Sequence, residues 1–245
     1  MNILRAIVID DERLARLELK SLLKKYDDIE VVEEAGNVDE AYEKIIKHQP
    51  DLLFLDIQMP EKTGFDLLEM LPSAPNVVFT TAYDDFALKA FEINALDYLL
   101  KPIEPRRLEE AIKKVRKKVE SKEAAPTQNF STEKLSETDQ VFVKDGDKCW
   151  FVKLLDISLF ESDGNYVKVY FENNRPLIHR SLNALDERLD DKLFFRASRK
   201  YIINLKWIDN IEPWFNGGLM VSLKDGQKIE ISRRQAAKFK ERLSL

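Results

Sequence analysis

The sequence predicts two folds in one chain: a doubly wound α/β domain with a parallel five-stranded sheet over residues 1–120, and a mostly-β domain over residues 139–245. Three observations carry that expectation. In the first half, short apolar runs alternate five times with segments of helical period, as in a parallel sheet covered on both faces. From Val141 onward the period falls to two, and Asn/Asp-Gly turns punctuate the chain. Between them, residues 121–138 (SKEAAPTQNFSTEKLSET) lose hydrophobic periodicity and are expected to form a linker.

In chain order, Ala6–Ile9 reads as a buried strand ending in Asp10-Asp11-Glu12, followed by a helix to Tyr26 with Leu14, Leu17, Leu22 and Leu23 near helical spacing. Ile29–Ala35 is the second strand. Asn37 caps a helix whose stripe is Ala41, Tyr42, Ile45 and Ile46, closed at Gln49-Pro50. Leu52–Leu55, the third strand, runs straight into Asp56, and Thr63-Gly64 opens a third helix. Val77–Thr80 is the fourth strand. Asp84-Asp85 start a helix with Ala87, Leu88 and Phe91 on one face. Asp97–Leu100 is the fifth strand, and a last helix spans Pro105 to Val119.

Composition bounds the function. At 245 residues, 44 % hydrophobic and 34 % charged, the chain fits two ordinary soluble domains. No apolar run approaches the roughly 20 residues a membrane-spanning helix needs. The N-terminus enters a strand directly with no cleavage pattern, so the expected location is cytoplasmic, with no membrane partner. Cys149 is the only cysteine, which excludes an internal disulfide and a multi-cysteine zinc site; a buried inert thiol is expected. Residues 1–120 carry 18 Lys and Arg against 25 Asp and Glu, whereas residues 139–245 carry 19 against 16. The mildly basic second half permits a nucleic-acid contact without demanding one. The Lys113-Lys114 and Lys117-Lys118 pairs read as a solvated helix end or a nucleic-acid arm.

The polar groups of the first half fall in one place. Asp10, Asp11, Asp56, Thr81 and Lys101 all follow strands, at the rim where open α/β sheets bind ligands. Three carboxylates gathered there repel one another unless a cation sits among them, and an oxygen-only ligand set suits Mg²⁺. Lys101 adds an ammonium and Thr81 a hydroxyl donor. The set makes a pocket for an anion with three oxygens, with Asp56 as nucleophile toward a phosphoryl group. A phosphatase of the haloacid-dehalogenase type also uses an aspartate nucleophile with Mg²⁺. It needs an Asp-x-Asp, and Asp56-Ile57-Gln58 lacks the second carboxylate.

At these residues the first half resembles the receiver domain of two-component response regulators, on Asp10-Asp11, Asp56 with Pro60 and Gly64, Thr81-Ala82, and Tyr98 before Lys101-Pro102. The resemblance implies a flavodoxin-like fold and a phosphoryl group passed to Asp56 from a histidine of a sensor kinase. It implies Mg²⁺ on Asp11, Asp56 and the Gln58 backbone carbonyl, with Asp10 acting through water. Lys101 would pair with the phosphate, Thr81 would bond it, Tyr98 would follow as the switch aromatic, and the Lys101-Pro102 bond would be cis. Such a protein is a regulator rather than an enzyme, although it can slowly lose its own phosphoryl group.

The second half reads as a hairpin around Asp145-Gly146, strands at Leu155–Phe160, Tyr166–Phe171 and Leu177–His179, and a short helix through Leu182, Leu185 and Leu189. Strands at Tyr201–Asn204, Ile208–Glu212, Leu219–Leu223 and Lys228–Ile231 follow, with a closing helix from Arg234. No catalytic set appears, His179 reads as core or rim, and basic residues gather at strand ends. The strings ISLFESDGNYVKVYF (157–171), FFRASRKYIINLKWIDNI (194–211) and IEISRRQ (229–235) resemble the LytTR-type DNA-binding domain. That resemblance implies a ten-stranded β fold whose loops enter the major groove of double-stranded DNA at direct repeats, in a homodimer formed through the phosphorylated receiver. Carried over, Arg199 and Arg233 would each make a bidentate contact to guanine, and Asn165 would read adenine or touch backbone. Lys168, Arg196, Lys200 and Arg234 would meet phosphates. Ser198 and Arg199 stand where the family often has histidine and another polar residue. The alternative for the β domain is a protein-docking module that binds no DNA.

Overall fold

The computed structural model describes residues 3–82, 95–120, 134–146 and 148–243. The helix expected from Asp84 and most of the linker, residues 121–133, lie outside the described residues. The chain divides into two compact units. Residues up to 120 together with Gln140–Phe151 form the first, and residues 134–139 together with those from Val152 on form the second.

The first unit is built on β1 (Leu4–Ile9), β2 (Ile29–Ala35), β3 (Leu52–Asp56), β4 (Asn76–Thr81) and β5 (Asp97–Leu100), in the order β2-β1-β3-β4-β5 and all parallel. Alternation along each strand sorts side chains to two faces. Ile7, Ile9, Leu53, Leu55 and Phe79 pack on one face with α2 (Val38–His48) and α3 (Gly64–Met70). Ala6, Val8, Leu52, Phe54 and Val78 pack on the other with α1 (Arg13–Leu23) and α4 (Pro105–Glu120). Every residue of β3 and β4 is buried, which is why Leu52–Leu55 and Val77–Phe79 read as continuous apolar runs rather than alternating ones. The helix ends match the local chemistry. Asn37 accepts from the Glu40 amide at 2.9 Å, Gln49 takes a left-handed φ of 46°, and Thr63 and Asp66 close a capping box.

In α1 the expected stripe is displaced. Leu19 and Leu23 are the buried pair, while Leu14 is 79 % exposed and Leu17 faces solvent. A short apolar patch on one face is enough to seat α1, and the leucine count alone does not say which face that is.

The sequence pattern assigns the hairpin β6 (Gln140–Asp145) and β7 (Lys148–Lys153) to the second half, yet Gln140–Phe151 packs as part of the first unit. Phe142 stacks on Phe65 at 6.0 Å with planes 6° apart, and Phe151 meets Phe142 edge-on. Lys144 pairs with Asp66 at 2.9 Å, and the Ala74 amide donates to the Gln140 carbonyl at 2.6 Å. Cys149 is buried in the same apolar cluster.

The second unit contains a five-stranded antiparallel sheet in the order β10-β9-β8-β12-β11: β8 (Ile157–Asp163), β9 (Tyr166–Phe171), β10 (Leu177–Ile178), β11 (Phe194–Arg196) and β12 (Tyr201–Asn204). A three-stranded sheet holds β13 (Ile208–Pro213), β14 (Leu219–Leu223) and β15 (Lys228–Ile231). Among the described residues, strands β6 to β15 number ten, of which β6 and most of β7 belong to the first unit. The sequence pattern misses only β11, a three-residue edge strand too short to show a period. Leu159, Phe195 and Ile203 pack with Leu219, Val221, Ile229 and Ile231, and α6 (Arg233–Leu243) adds Ala236 and Phe239. The short helix α5 (Leu182–Arg188) is capped by Ser181. At the end of the linker stretch, Leu135 is buried and exchanges backbone hydrogen bonds with Arg188 and Asp190.

Asn204 is fully buried. Its amide donates to the carbonyls of Leu154, Leu155 and Ile157, at 3.3, 3.4 and 2.8 Å, and its carbonyl accepts from the Lys206 amide at 2.9 Å. It therefore ties β12 to the turn that leads into β8. Asn204→Ala leaves those carbonyls without a donor and is expected to cost about 2–3 kcal/mol. Chemical unfolding measures this, and a shift below about half a kcal/mol would show that the carbonyls find other donors.

Candidate phosphoacceptor site and nucleic-acid interface

The parallel order brings the ends of β1, β3, β4 and β5 to one rim. A cleft of about 570 Å³ there is lined by Asp10, Asp11, Asp56, Gln58, Thr81 and Lys101, among others. Carboxylate oxygens of Asp10, Asp11 and Asp56 lie within 4.8 Å of one another. Asp10 and Asp56 are 3 % and 5 % exposed, whereas Asp11 is open to solvent. The Lys101 ammonium bridges the two buried groups, at 2.7 Å from Asp10 Oδ2 and 2.6 Å from Asp56 Oδ2.

The remaining oxygens are set by the backbone. The Glu12 amide donates to Asp10 Oδ1 at 2.9 Å, and the Gln58 amide to Asp56 Oδ1 at 3.0 Å. Burial pushes the Asp56 carboxyl above its ordinary range, and the Lys101 ammonium opposes but does not cancel that rise. Burial alone would lower Lys101; hydrogen bonds to Asp10 and Asp56 outweigh it and hold the ammonium above its usual value. A donor set of three carboxylates with no nitrogen or sulfur fits a hard divalent ion such as Mg²⁺. Asp10, Asp11, Asp56 and the Gln58 carbonyl would hold it.

Thr81 is fully buried at the end of β4, and its carbonyl accepts from the Lys101 amide at 2.8 Å. Tyr98 is buried in β5, and the Lys101-Pro102 bond is cis. Gly64 sits where nothing larger fits: a Cβ there would lie 2.3 Å from the Asp56 carbonyl oxygen.

In the second unit, Asn165 is exposed in the β8–β9 turn, next to Gly164 at φ 61°. A cleft of about 500 Å³ joins Asn165 to Arg196 at the end of β11 and Arg199 of the β11–β12 turn, with His179 and Arg180 on its wall. The basic residues divide by what they already bind. Lys168 pairs with Asp163 at 3.1 Å, and Lys200 with Glu161 at 2.8 Å. Glu161 also accepts from the hydroxyls of Tyr170 and Tyr201. Burial, then the Glu161 hydrogen bond, pushes Tyr170 up to about 12, and the same carboxylate raises Lys200. Arg196 donates to the carbonyls of Ser198 and Arg199 and to Asn183, so its fork shapes the turn that presents Arg199. The side chains of Arg199, Arg233 and Arg234 are exposed and make no hydrogen bond or ion pair among the described residues. Arg233 and Arg234 open α6, apart from the Asn165 cleft.

A family model described as the response regulator receiver domain matches residues 6–113, and one described as the LytTr DNA-binding domain matches residues 147–244. A sensory transduction protein LytT of Enterococcus faecalis is 37 % identical over 99 % of this chain and 100 % of its own length. The chain belongs to the LytTR-type response regulators. A transcriptional regulatory protein LytR of Staphylococcus aureus is 33 % identical, again over 99 % of this chain and 100 % of its own. Among solved structures, the REC domain of AraT, a response regulator from Geobacillus stearothermophilus, is 35 % identical. It covers 49 % of this chain and 98 % of that one, with a TM-score of 0.43.

Membership makes this LytTR-type regulator a transcription-regulating protein of the two-component kind and not an enzyme. No helix among the described residues is long and apolar enough to cross a membrane. Sequence reasoning does not find His179 and Arg180 on the cleft wall. They follow a two-residue edge strand, and only the sheet order places them beside Asn165. It also misses Arg16, whose guanidinium donates to the Asp10 carbonyl at 2.6 Å; a basic residue one helical turn after an acidic loop is the available signal.

Gly64→Ala is expected to destabilise the receiver unit by about 2 kcal/mol or more, because the Asp56 backbone must move to admit the methyl group. Denaturant unfolding reads this directly. An unchanged midpoint would mean that the 57–63 loop yields freely.

Proposed function

We propose that this regulator accepts a phosphoryl group on Asp56 from a phosphohistidine of a sensor kinase, and that the modification shifts dimerisation and DNA binding by the second unit. The observation that carries the first step is the buried Asp56 carboxylate, held 2.6 Å from the Lys101 ammonium with two further carboxylates within 4.8 Å. An Asp56 oxygen attacks the phosphorus, the histidine N–P bond breaks with its electron pair leaving on the imidazole, and an acyl phosphate forms. Mg²⁺, when bound, supplies positive charge to the transferring oxygens and offsets the repulsion of the three carboxylates. Lys101 releases its bond to Asp56 and pairs with the incoming phosphate oxygens, and Thr81 bonds a third. Tyr98 then moves with Thr81 as the switch aromatic. The two states differ by what Lys101 and Thr81 bind, which gives the modification something to bias.

In the second unit, Arg199 and Arg233 read guanine by bidentate contact, and Asn165 reads adenine or meets backbone. Arg234 meets phosphate. Lys168 and Lys200 reach phosphates after loosening from Asp163 and Glu161, so their contribution is smaller than a free lysine's. Arg196 contributes charge to the cleft and holds the Arg199 turn. The target is double-stranded DNA bearing direct repeats, bound by a phosphorylated homodimer in the cytoplasm.

Asp56→Asn is expected to abolish labelling by a small phosphoryl donor with Mg²⁺, followed by phosphate-affinity electrophoresis; undiminished labelling would reassign the acceptor. Arg233→Ala is expected to weaken specific DNA binding by ~1–3 kcal/mol and to relax preference at one base position. Selection from a random-site duplex library at fixed salt measures both, and an unchanged preference would remove Arg233 from base reading.

A further inference from the structure

Among the second unit's described residues, Phe215 is the most exposed large apolar side chain, at 75 %, and its neighbour Trp214 is 37 % exposed. Single exposed apolar residues are ordinary on protein surfaces. These two are different in how they are held. Their rings meet edge to face at 4.8 Å and 71°, which fixes one against the other.

The turn beneath them is closed by the Trp214 amide donating to the Gly218 carbonyl at 3.0 Å and the Gly218 amide donating to the Phe215 carbonyl at 3.0 Å. Asn216 and Gly217 take left-handed φ values of 55° and 78°. A Cβ on Gly218 would lie 2.7 Å from the Ile231 carbonyl oxygen, so the turn rests directly on the end of β15. The backbone therefore holds both rings outward.

What lies beside the turn gives it a partner. A Cβ on Gly217 would meet Arg233 Cδ at 3.5 Å and Cγ at 3.6 Å, so the aliphatic stem of Arg233 lies across the turn. Arg234 follows, also exposed. The turn thus sets an exposed apolar pair beside the Arg233 side chain, with the exposed Arg234 next along the chain. It matches the major groove, where guanine offers two acceptors to arginine and thymine offers a methyl group to a phenyl ring.

We propose that Phe215, backed by Trp214, contacts a thymine methyl group next to the base pair read by Arg233, making the β13–β14 turn part of the DNA interface. This rests on the DNA reading of Arg233 proposed above and extends it from a polar to an apolar contact.

The test uses the full chain and a random-core duplex library. The site recovered by the wild type is resynthesised with deoxyuridine in place of each thymine in turn, which deletes only the methyl group. At one position adjacent to the Arg233-dependent base, the wild type should lose about fourfold in affinity, the worth of one buried methyl-sized group. Phe215→Ala should bind the thymine duplex about as weakly as the wild type binds the deoxyuridine one, and should not distinguish the two. Phe215→Leu, which keeps an apolar side chain, should retain part of the discrimination. A Phe215→Ala chain that keeps the full methyl penalty overturns the proposal, as does one that changes oligomeric state with the penalty intact, which assigns the turn to a contact between copies. If Arg233→Ala leaves site preference unchanged, the underlying reading fails as well; if only the methyl effect is missing, Arg233 stands and Phe215 alone is excluded.

Discussion

The Lys101 ammonium between Asp10 and Asp56 is the constraint on which the first unit turns. Two carboxylates that are 3 % and 5 % exposed and share one rim would strongly disfavour the folded state as free anions. Lysine supplies one positive charge to both, and the Glu12 and Gln58 amides satisfy the outer oxygens. One cation for two buried anions still leaves a charge deficit, and the third carboxylate, Asp11, adds to it from the solvent side. That deficit suits a ligand that brings positive charge. The sheet order makes this reach possible, since Lys101 follows β5 and must pass β4 to meet acids at the ends of β3 and β1.

From that rim the packing continues into α3. Gly64 presses on the Asp56 carbonyl, and the next residue, Phe65, touches both Phe79 of β4 and Phe142 of the β6–β7 hairpin. Asp66 serves twice, closing the α3 capping box and pairing with Lys144 of the same hairpin. Strand β6 falls between the two family matches, at residues 6–113 and 147–244, yet it packs as a part of the first unit. A hairpin that continues along the chain into the second unit is thus seated on the helix that begins behind the Asp56 loop.

In the second unit, charge is sorted by use. Glu161 gathers Lys200 and two tyrosine hydroxyls, Asp163 takes Lys168, and Arg196 commits its fork to the carbonyls of its own turn. A charge already paired inside a domain gains less from a phosphate than an unpaired one. Arg199, Arg233 and Arg234 carry no such pairing among the described residues and stand exposed at turn and helix starts. Net charge alone could not separate these groups, because all of them count equally in a composition.

The sequence by itself determined that Asp10, Asp11, Asp56, Thr81 and Lys101 would fall at strand ends on one rim. The strands are short and dry, their ends are polar, and a strand's end is a local property that a run such as Leu52–Leu55 before Asp56 displays directly. Caps were legible for the same reason, since Asn37, Thr63 and Gln49 act within a few residues of themselves. Tertiary structure alone decided which face of α1 is buried, leaving Leu14 and Leu17 in solvent, and that Lys101 bonds both acids at once. It also decided that Phe142 lies on Phe65, that Arg180 faces the Asn165 cleft, and that Arg233 crosses the Phe215 turn. Each of these joins residues that local pattern cannot connect. Hydrophobic period says that a face is buried, and only packing says against what.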